Sequence, residues 1–121
     1  MNYQESLSYI HSLLRFGIKP GLERVSALLE SLGNPQDKCR FIHIAGTNGK
    51  GSTSTMLSAF FRSAGYKTGL YTSPYVVDFR ERIQINGEYI PKEDLAKYTE
   101  LAKTAAENIV AEPTEFEFIT A

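Results

Sequence analysis

Phe41-Ile42-His43-Ile44-Ala45-Gly46-Thr47-Asn48-Gly49-Lys50-Gly51-Ser52 is the stretch whose reading decides the fold. Its first five residues are short, apolar and β-prone, and they predict a strand. That strand runs directly into a glycine loop. Behind the loop, Met56, Leu57, Phe60, Phe61 and Ala64 recur at helical spacing and predict a helix stopped by Gly65. Thr68-Gly69-Leu70-Tyr71-Thr72 reads as the next strand. Strand, loop, helix and strand in this order predict a βαβ unit with parallel strands and a right-handed crossover.

The loop Gly46-Thr47-Asn48-Gly49-Lys50-Gly51-Ser52 has the residue types that phosphate binding needs. Phosphate oxygens require donors approaching from several directions. Glycines at 46, 49 and 51 let successive amides turn inward as a nest. A helix beginning near Ser52 aims its unpaired amides and positive dipole end at the same point. Lys50 supplies a point charge for the outer phosphates, and the Ser52 hydroxyl can bond a phosphate oxygen or Mg²⁺. The spacing departs from G-x-x-x-x-G-K-[ST]: the hydroxyl residue stands one place later, after Gly51. The bland alternative is a glycine-rich turn with an exposed lysine. The agreement of strand, helix and lysine position favours phosphate.

Outward from this unit the pattern is helical on the N-terminal side. Tyr3, Leu7, Ile10 and Leu14 share a helical face, with Gly17 as the stop. Leu22, Val25, Leu28, Leu29 and Leu32 predict a second helix, ended by Gly33-Asn34-Pro35. On the other side, Ser73-Pro74 breaks the strand. Arg82–Ile85 and Tyr89-Ile90 flank Asn86-Gly87, a strong signal for a two-residue hairpin turn. After Pro91, Leu95, Tyr98, Leu101, Ala102, Ala105 and Ile109 predict a further helix. Thr114-Glu115-Phe116-Glu117 fits a capping box, with the threonine hydroxyl taking an amide of the first turn and Glu117 reaching back to the Thr114 amide. The fold class expected is α/β: two N-terminal helices, then the start of a parallel sheet with an inserted β-hairpin. A helix capped at Thr114 and reaching only Ala121 reads as the beginning of a longer one, so the chain is expected to be a piece of a larger protein.

Composition sets broad bounds. The chain has 121 residues, 42% hydrophobic and 22% charged, ordinary for a globular protein with a core. A formal net charge of -1 offers no basic field for nucleic acid. No apolar run is long enough for a membrane span. Cys39 is the one cysteine, so no internal disulfide forms. A cytoplasmic location is the default expectation.

Taken together, the glycine loop, Gly69-Leu70-Tyr71-Thr72-Ser73-Pro74, Glu81-Arg82-Ile83-Gln84-Ile85-Asn86-Gly87, Thr114-Glu115-Phe116-Glu117 and the early Leu28–Pro35 segment resemble the folylpolyglutamate synthase and dihydrofolate synthase family, relatives of the Mur cell-wall ligases. The resemblance covers nearly the whole chain in the right order. It implies that residues 1–121 are the N-terminal part of a P-loop, Mur ligase-like ATP-binding domain. The rest of that domain, with its magnesium-binding glutamate and modified lysine, and the C-terminal glutamate-binding domain would follow.

The resemblance also implies a reaction. The ATP γ-phosphate passes to a carboxylate of folate or dihydropteroate, and the acyl phosphate is attacked by the amine of L-glutamate. Residues 46–52 would hold ATP, with Lys50 on the transferring phosphate. Ser73 would join Ser52 at Mg²⁺, and Ser73, Pro74, Tyr75 and Arg82 would belong to the folate-binding loop. Tyr75 departs from the histidine that many relatives carry, which leaves dihydropteroate and reduced folate both open as substrates. For Ser73 the residues alone favour a loop serine bonding its own backbone before Pro74. For Tyr75 and Phe79, packing against the hairpin stays open beside stacking on a pterin. For Arg82, anion binding stays open beside surface pairing with Glu81 or Glu88. His43 reads as structural, His11 as surface, and Glu117 as a capping residue. The competing functions are another Mur-type ATP-dependent ligase and a non-catalytic nucleotide-binding module.

Overall fold

The computed structural model describes all residues, Met1–Ala121, and the chain divides into two compact units, Met1–Arg40 with Lys92–Ala121, and Phe41–Pro91.

The first unit is helical. Helix α1 (Tyr3–Ser12) starts with a complete capping box, in which the Asn2 side chain accepts from the Glu5 amide and the Glu5 carboxylate accepts from the Asn2 amide. It tightens into a 3-10 turn over Leu13–Phe16. Tightening from 3.6 to 3.0 residues per turn changes which side chains face inward. Leu13 is therefore buried and Leu14 is 57% exposed, the reverse of what a continuous helical repeat predicts. Helix α2 (Glu23–Ser31) buries Leu28 completely. Its end is closed by the Asn34 amide donating to the Leu29 carbonyl and the Gly33 amide to Glu30, as Gly33-Asn34 predicts.

Helix α3 (Lys50–Ser63) belongs to the second unit. Helix α4 (Lys92–Glu107) returns to the first and packs against α1 and α2. Its inward face is Leu95, Ala96, Thr99, Ala102, Ala105 and Ala106. The expected face is corrected here: Tyr98 and Leu101 are more than half exposed, and Ile109 lies beyond the helix. Small residues occupy the inward face, and they allow helices to approach closely. Helix α5 (Glu115–Thr120) is capped by Thr114, whose hydroxyl accepts from the Glu117 amide.

In the second unit the α/β character holds, but the strand pairing differs from expectation. Strands β1 (Gly69–Tyr71), β2 (Ile83–Ile85) and β3 (Glu88–Tyr89) form one sheet in the order β1-β2-β3, antiparallel throughout. Gly69 lies opposite Ile85 and Tyr71 opposite Ile83. The parallel βαβ pair is not formed within this chain. Phe41–Ala45 has no strand partner, and Phe41 and Ile42 stay 73% and 62% exposed. A strand is defined by its hydrogen-bonded neighbour; β1 is an edge strand whose one partner is the hairpin strand β2. The hairpin is as predicted: Asn86 and Gly87 both have positive φ, 51° and 81°, which a tight two-residue turn demands.

Candidate functional site

The glycine loop sits where a helix begins. Gly49 is the residue before α3 and has φ of 79°, a left-handed conformation that glycine adopts without a Cβ penalty. Helix α3 starts at Lys50, two residues earlier than expected, and its first main-chain bond runs from the Thr53 amide to the Gly49 carbonyl at 2.9 Å. The amides of Lys50, Gly51 and Ser52 therefore have no acceptor inside the helix. They are exposed, as is the whole stretch from Gly46 through Ser52, including Thr47 and Asn48.

The hydroxyls on this first turn differ in use. Ser54 and Thr55 donate back to the Lys50 and Gly51 carbonyls at 2.7 and 2.8 Å. Ser52 points no such bond into its helix. The Lys50 ammonium folds over the loop and donates to the Gly46 carbonyl at 2.6 Å, which closes the loop on itself. The arrangement combines a row of helix-start amides, a helix dipole and a lysine ammonium held on a loop carbonyl. Open amides at a helix start are chemistry that suits an anion.

The second candidate segment, Ser73–Arg82, leaves β1 and returns into β2. Its base is tied by the Thr72 amide donating to the Arg82 carbonyl at 3.0 Å and the Thr72 hydroxyl to the Glu81 carbonyl at 3.3 Å. The Ser73-Pro74 peptide bond is cis. Ser73 is exposed, and its hydroxyl is not engaged by the turn backbone, so the local-capping reading of this serine is not realised. Tyr75 packs edge-on against Phe79 with ring centroids 5.5 Å apart. Tyr75 remains 38% exposed and keeps part of its ring available.

Arg82 is not a surface residue. It is 5% exposed, with its guanidinium 5.4 Å from the centroid of the Phe79 ring. Of the two readings open for Arg82, surface pairing with Glu81 or Glu88 is not realised: the guanidinium is buried, and the Glu81 carboxylate faces backbone amides. It accepts from Val76 at 3.1 Å, from Val77 at 2.8 Å and from Asp78 at 2.6 Å. The Asp78 amide above all, then those of Val76 and Val77, hold the Glu81 carboxyl below its ordinary range, against the opposing effects of desolvation and the nearby Asp78 charge. Asp78 in turn accepts from the Arg80 amide and guanidinium. Sequence reasoning missed Glu81. The available signal was its place three residues after Asp78 in a local capping box.

In the helical unit, Glu117 does more than cap. Its carboxylate pairs with the Arg24 guanidinium at 2.9–3.1 Å, both side chains being 15% exposed or less. The same guanidinium donates to the Lys19 and Pro20 carbonyls. The pairing replaces the expected reach back to the Thr114 amide, so only half of the capping box is present. The Glu117 partnership raises the Arg24 pKa further. His43 and His11 are both exposed. No group of three or more His, Cys, Asp or Glu side chains is placed to hold a metal ion, and no helix is long and apolar enough to cross a membrane.

No protein-family model matches the chain, but whole-protein comparisons do. It is 44% identical over 123 residues to the dihydrofolate synthase/folylpolyglutamate synthase of Bacillus subtilis, covering 98% of this chain and 29% of that protein. It is 42% identical over 126 residues to the folylpolyglutamate synthase of Lacticaseibacillus casei, covering 100% of this chain and 29% of that one. The solved folylpolyglutamate synthetase from Lactobacillus casei superposes with a TM-score of 0.92 over 99% of this chain and 31% of its own. A folylpolyglutamate synthase complex with AMPPCP and folate matches at 39% identity and TM-score 0.87. Escherichia coli FolC in complex with DHPP and ADP matches at 36% and 0.85. The chain spans about 30% of the length of these relatives. With end-to-end identity above 40% and the same fold, the chain belongs, over the residues it contains, to the folylpolyglutamate synthase/dihydrofolate synthase family.

Proposed function

We propose that this chain is the N-terminal part of the ATP-binding domain of a ligase that joins L-glutamate to folate or dihydropteroate through an acyl phosphate. One observation carries the reading. An exposed row of helix-start amides with a lysine folded over it stands in a chain similar from end to end to enzymes whose solved complexes hold AMPPCP with folate, or DHPP with ADP. A carboxylate is a poor electrophile, and phosphorylation gives it a leaving group that the glutamate amine can displace. The protein's task at this end is to position the triphosphate and offset charge on the transferring group.

In this reading Gly46, Thr47, Asn48, Gly49, Gly51 and Ser52 cradle the phosphates through amides and a hydroxyl. Lys50 exchanges its bond to the Gly46 carbonyl for the outer phosphates. Mg²⁺ prefers hard oxygen ligands and usually keeps several waters. The exposed hydroxyls of Ser52 and Ser73 fit that preference, and with no acidic cluster in the chain they would share the ion with phosphate oxygens and water. The ion would supply charge neutralisation. Ser73, Pro74 and Tyr75 would meet the folate or dihydropteroate, with Arg82 supporting that loop from its buried position. The glutamate site and the acidic metal ligand would lie outside this chain, so residues 1–121 alone would bind nucleotide without ligating. A cytoplasmic enzyme with no nucleic-acid or membrane partner completes the proposal.

The test is made in a full-length ligase carrying this chain. Lys50→Ala is expected to lower turnover at saturating ATP by roughly 10²–10³-fold, the usual loss for one donor to developing charge. Ser73→Ala is expected to raise the Mg²⁺ concentration needed for activity without changing the thermal melt. Near-normal turnover in a folded Lys50→Ala enzyme would sink the phosphate role. An unchanged Mg²⁺ requirement would remove Ser73 from the metal.

A further inference from the structure

We infer that Glu81 is a positioning residue for the segment that presents Tyr75, Val76 and Val77, gathering three successive backbone amides onto one carboxylate and so fixing the shape of that loop before any substrate arrives. The inference rests on the proposed ligase function and assigns a role to a residue that contacts no substrate itself.

The loop raises a physical question. Val76 and Val77 are 86% and 87% exposed, so the tip of this segment is apolar and faces water. Hydrophobic burial would favour folding those side chains inward, not holding them out. The force that holds the tip is polar. One Glu81 carboxylate oxygen accepts from the Val76 amide, and the other accepts from both Val77 and Asp78. Hydrogen bonds to an ionised acceptor are shorter and about twice as strong as neutral ones. Three consecutive amides turned to one point form an anion nest, and here the chain fills the nest with its own carboxylate.

The anchor is itself fixed. The Glu81 amide donates to the Asp78 carbonyl at 2.9 Å. Its carbonyl accepts from the Thr72 hydroxyl at the end of β1 and from the Gln84 side-chain amide on β2. Tyr75 is steadied from the other side by Phe79, which is 4% exposed. Tyr75 through Asp78 thus hangs from two points, one polar and one aromatic, both rooted at the base of the sheet.

A preformed loop lowers the ordering cost that a flat aromatic substrate would otherwise meet on binding. Loss of the anchor would therefore weaken binding of the pterin-bearing substrate and leave ATP binding and the phosphoryl step alone. That split separates positioning from catalysis and from general stability.

The experiment has two arms. In a full-length ligase carrying this chain, steady-state kinetics are measured for wild type, Glu81→Gln and Glu81→Ala, varying the folate substrate and ATP separately. Glu81→Ala is expected to raise the KM for the folate substrate roughly tenfold, the scale of losing charged hydrogen bonds. Glu81→Gln, which keeps one carbonyl acceptor, should fall between it and wild type, and the KM for ATP should be unchanged. In the unmutated chain, amide exchange should be slower at Val76, Val77 and Asp78 than at Ser73 and Tyr75. No ATP-dependent ligation by the wild-type enzyme would overturn the functional proposal, and the exchange arm would still test the anchor. An active wild type with an unchanged folate KM in Glu81→Ala would overturn the inference. So would equal losses in both KM values, or unprotected amides at 76–78, and this last result needs no variant to fold.

Discussion

In the helical unit Ile10, Leu13, Leu28, Leu95 and Phe118 are each 4% exposed or less, whereas in the unit of residues 41–91 Phe41, Met56, Phe60, Val76 and Val77 are all more than half exposed. The helical unit also pairs several of its polar groups over short and long range. Its first helix is capped at both main-chain and side-chain level, and the Arg24–Glu117 pair satisfies a guanidinium and a carboxylate together. The other unit keeps amides open at Lys50, Gly51 and Ser52, and gathers three more onto Glu81. The contrast teaches where stability and chemistry part company. Groups that a chain pairs with one another in a packed interior are not available to a ligand. The second unit leaves donors open and shapes its loops with local devices: a glycine, a lysine folded on a carbonyl, and a carboxylate in a nest.

The contrast is open to attack by mutation. The largest stability effect is expected at Leu28→Ala. The side chain is fully buried in the helical unit, and deleting it removes both transfer energy and packing. A loss of about 2–5 kcal/mol is expected by denaturant titration. A loss below roughly 1 kcal/mol would mean that α2 is not part of a closed core, since exposed sites behave that way.

An intermediate effect is expected in acid, confined to the loop-bearing unit. The Glu81 carboxyl is held below its ordinary range in the folded chain, chiefly by the Asp78 amide. A depressed folded pKa contributes stability that is fully present above the unfolded glutamate value of about 4.3. That contribution shrinks as pH falls below this value, because the unfolded state takes up its proton first, and it is gone once pH passes the lowered folded value. The amides of Val76, Val77 and Asp78 should then lose their protection while those of α4 keep theirs. Simultaneous loss in both regions would show one cooperative unit and erase the distinction.

The smallest effect is expected at Phe60→Ala. This residue is 71% exposed on α3, so in this chain its removal should change stability by no more than about 0.5 kcal/mol. A loss of several times that size would show the α3 face to be covered, and the comparison would fail at its weakest point.

Much of this molecule was legible because the relevant forces act over a few residues. Gly49, Lys50 and Ser52 declare a glycine loop at a helix start through positive φ, charge and helix position that all lie within one turn. Asn86-Gly87 declares its hairpin by the same local logic. The resemblance that rested on these segments reached the family and the α/β class.

Other features were settled only by tertiary structure, because their partners lie far along the chain or depend on helix phase. Nothing near Glu117 announces Arg24, 93 positions away, so a local capping role was the natural reading. The change to a 3-10 turn at Leu13 moved burial from Leu14 to its neighbour, which a fixed helical period does not register. Phe41–Ala45 and Gly69–Tyr71 each carry strand character in their sequence, but strand character does not choose a partner. That choice depends on which backbone is within hydrogen-bonding reach, and here the hairpin strand is, so β1 pairs antiparallel and Phe41–Ala45 does not pair. Sequence by itself determined the glycine–lysine loop and the hairpin turn, whose contacts lie within a few residues; the tertiary structure decided the strand pairing and the Arg24–Glu117 pair, whose partners are distant in the chain.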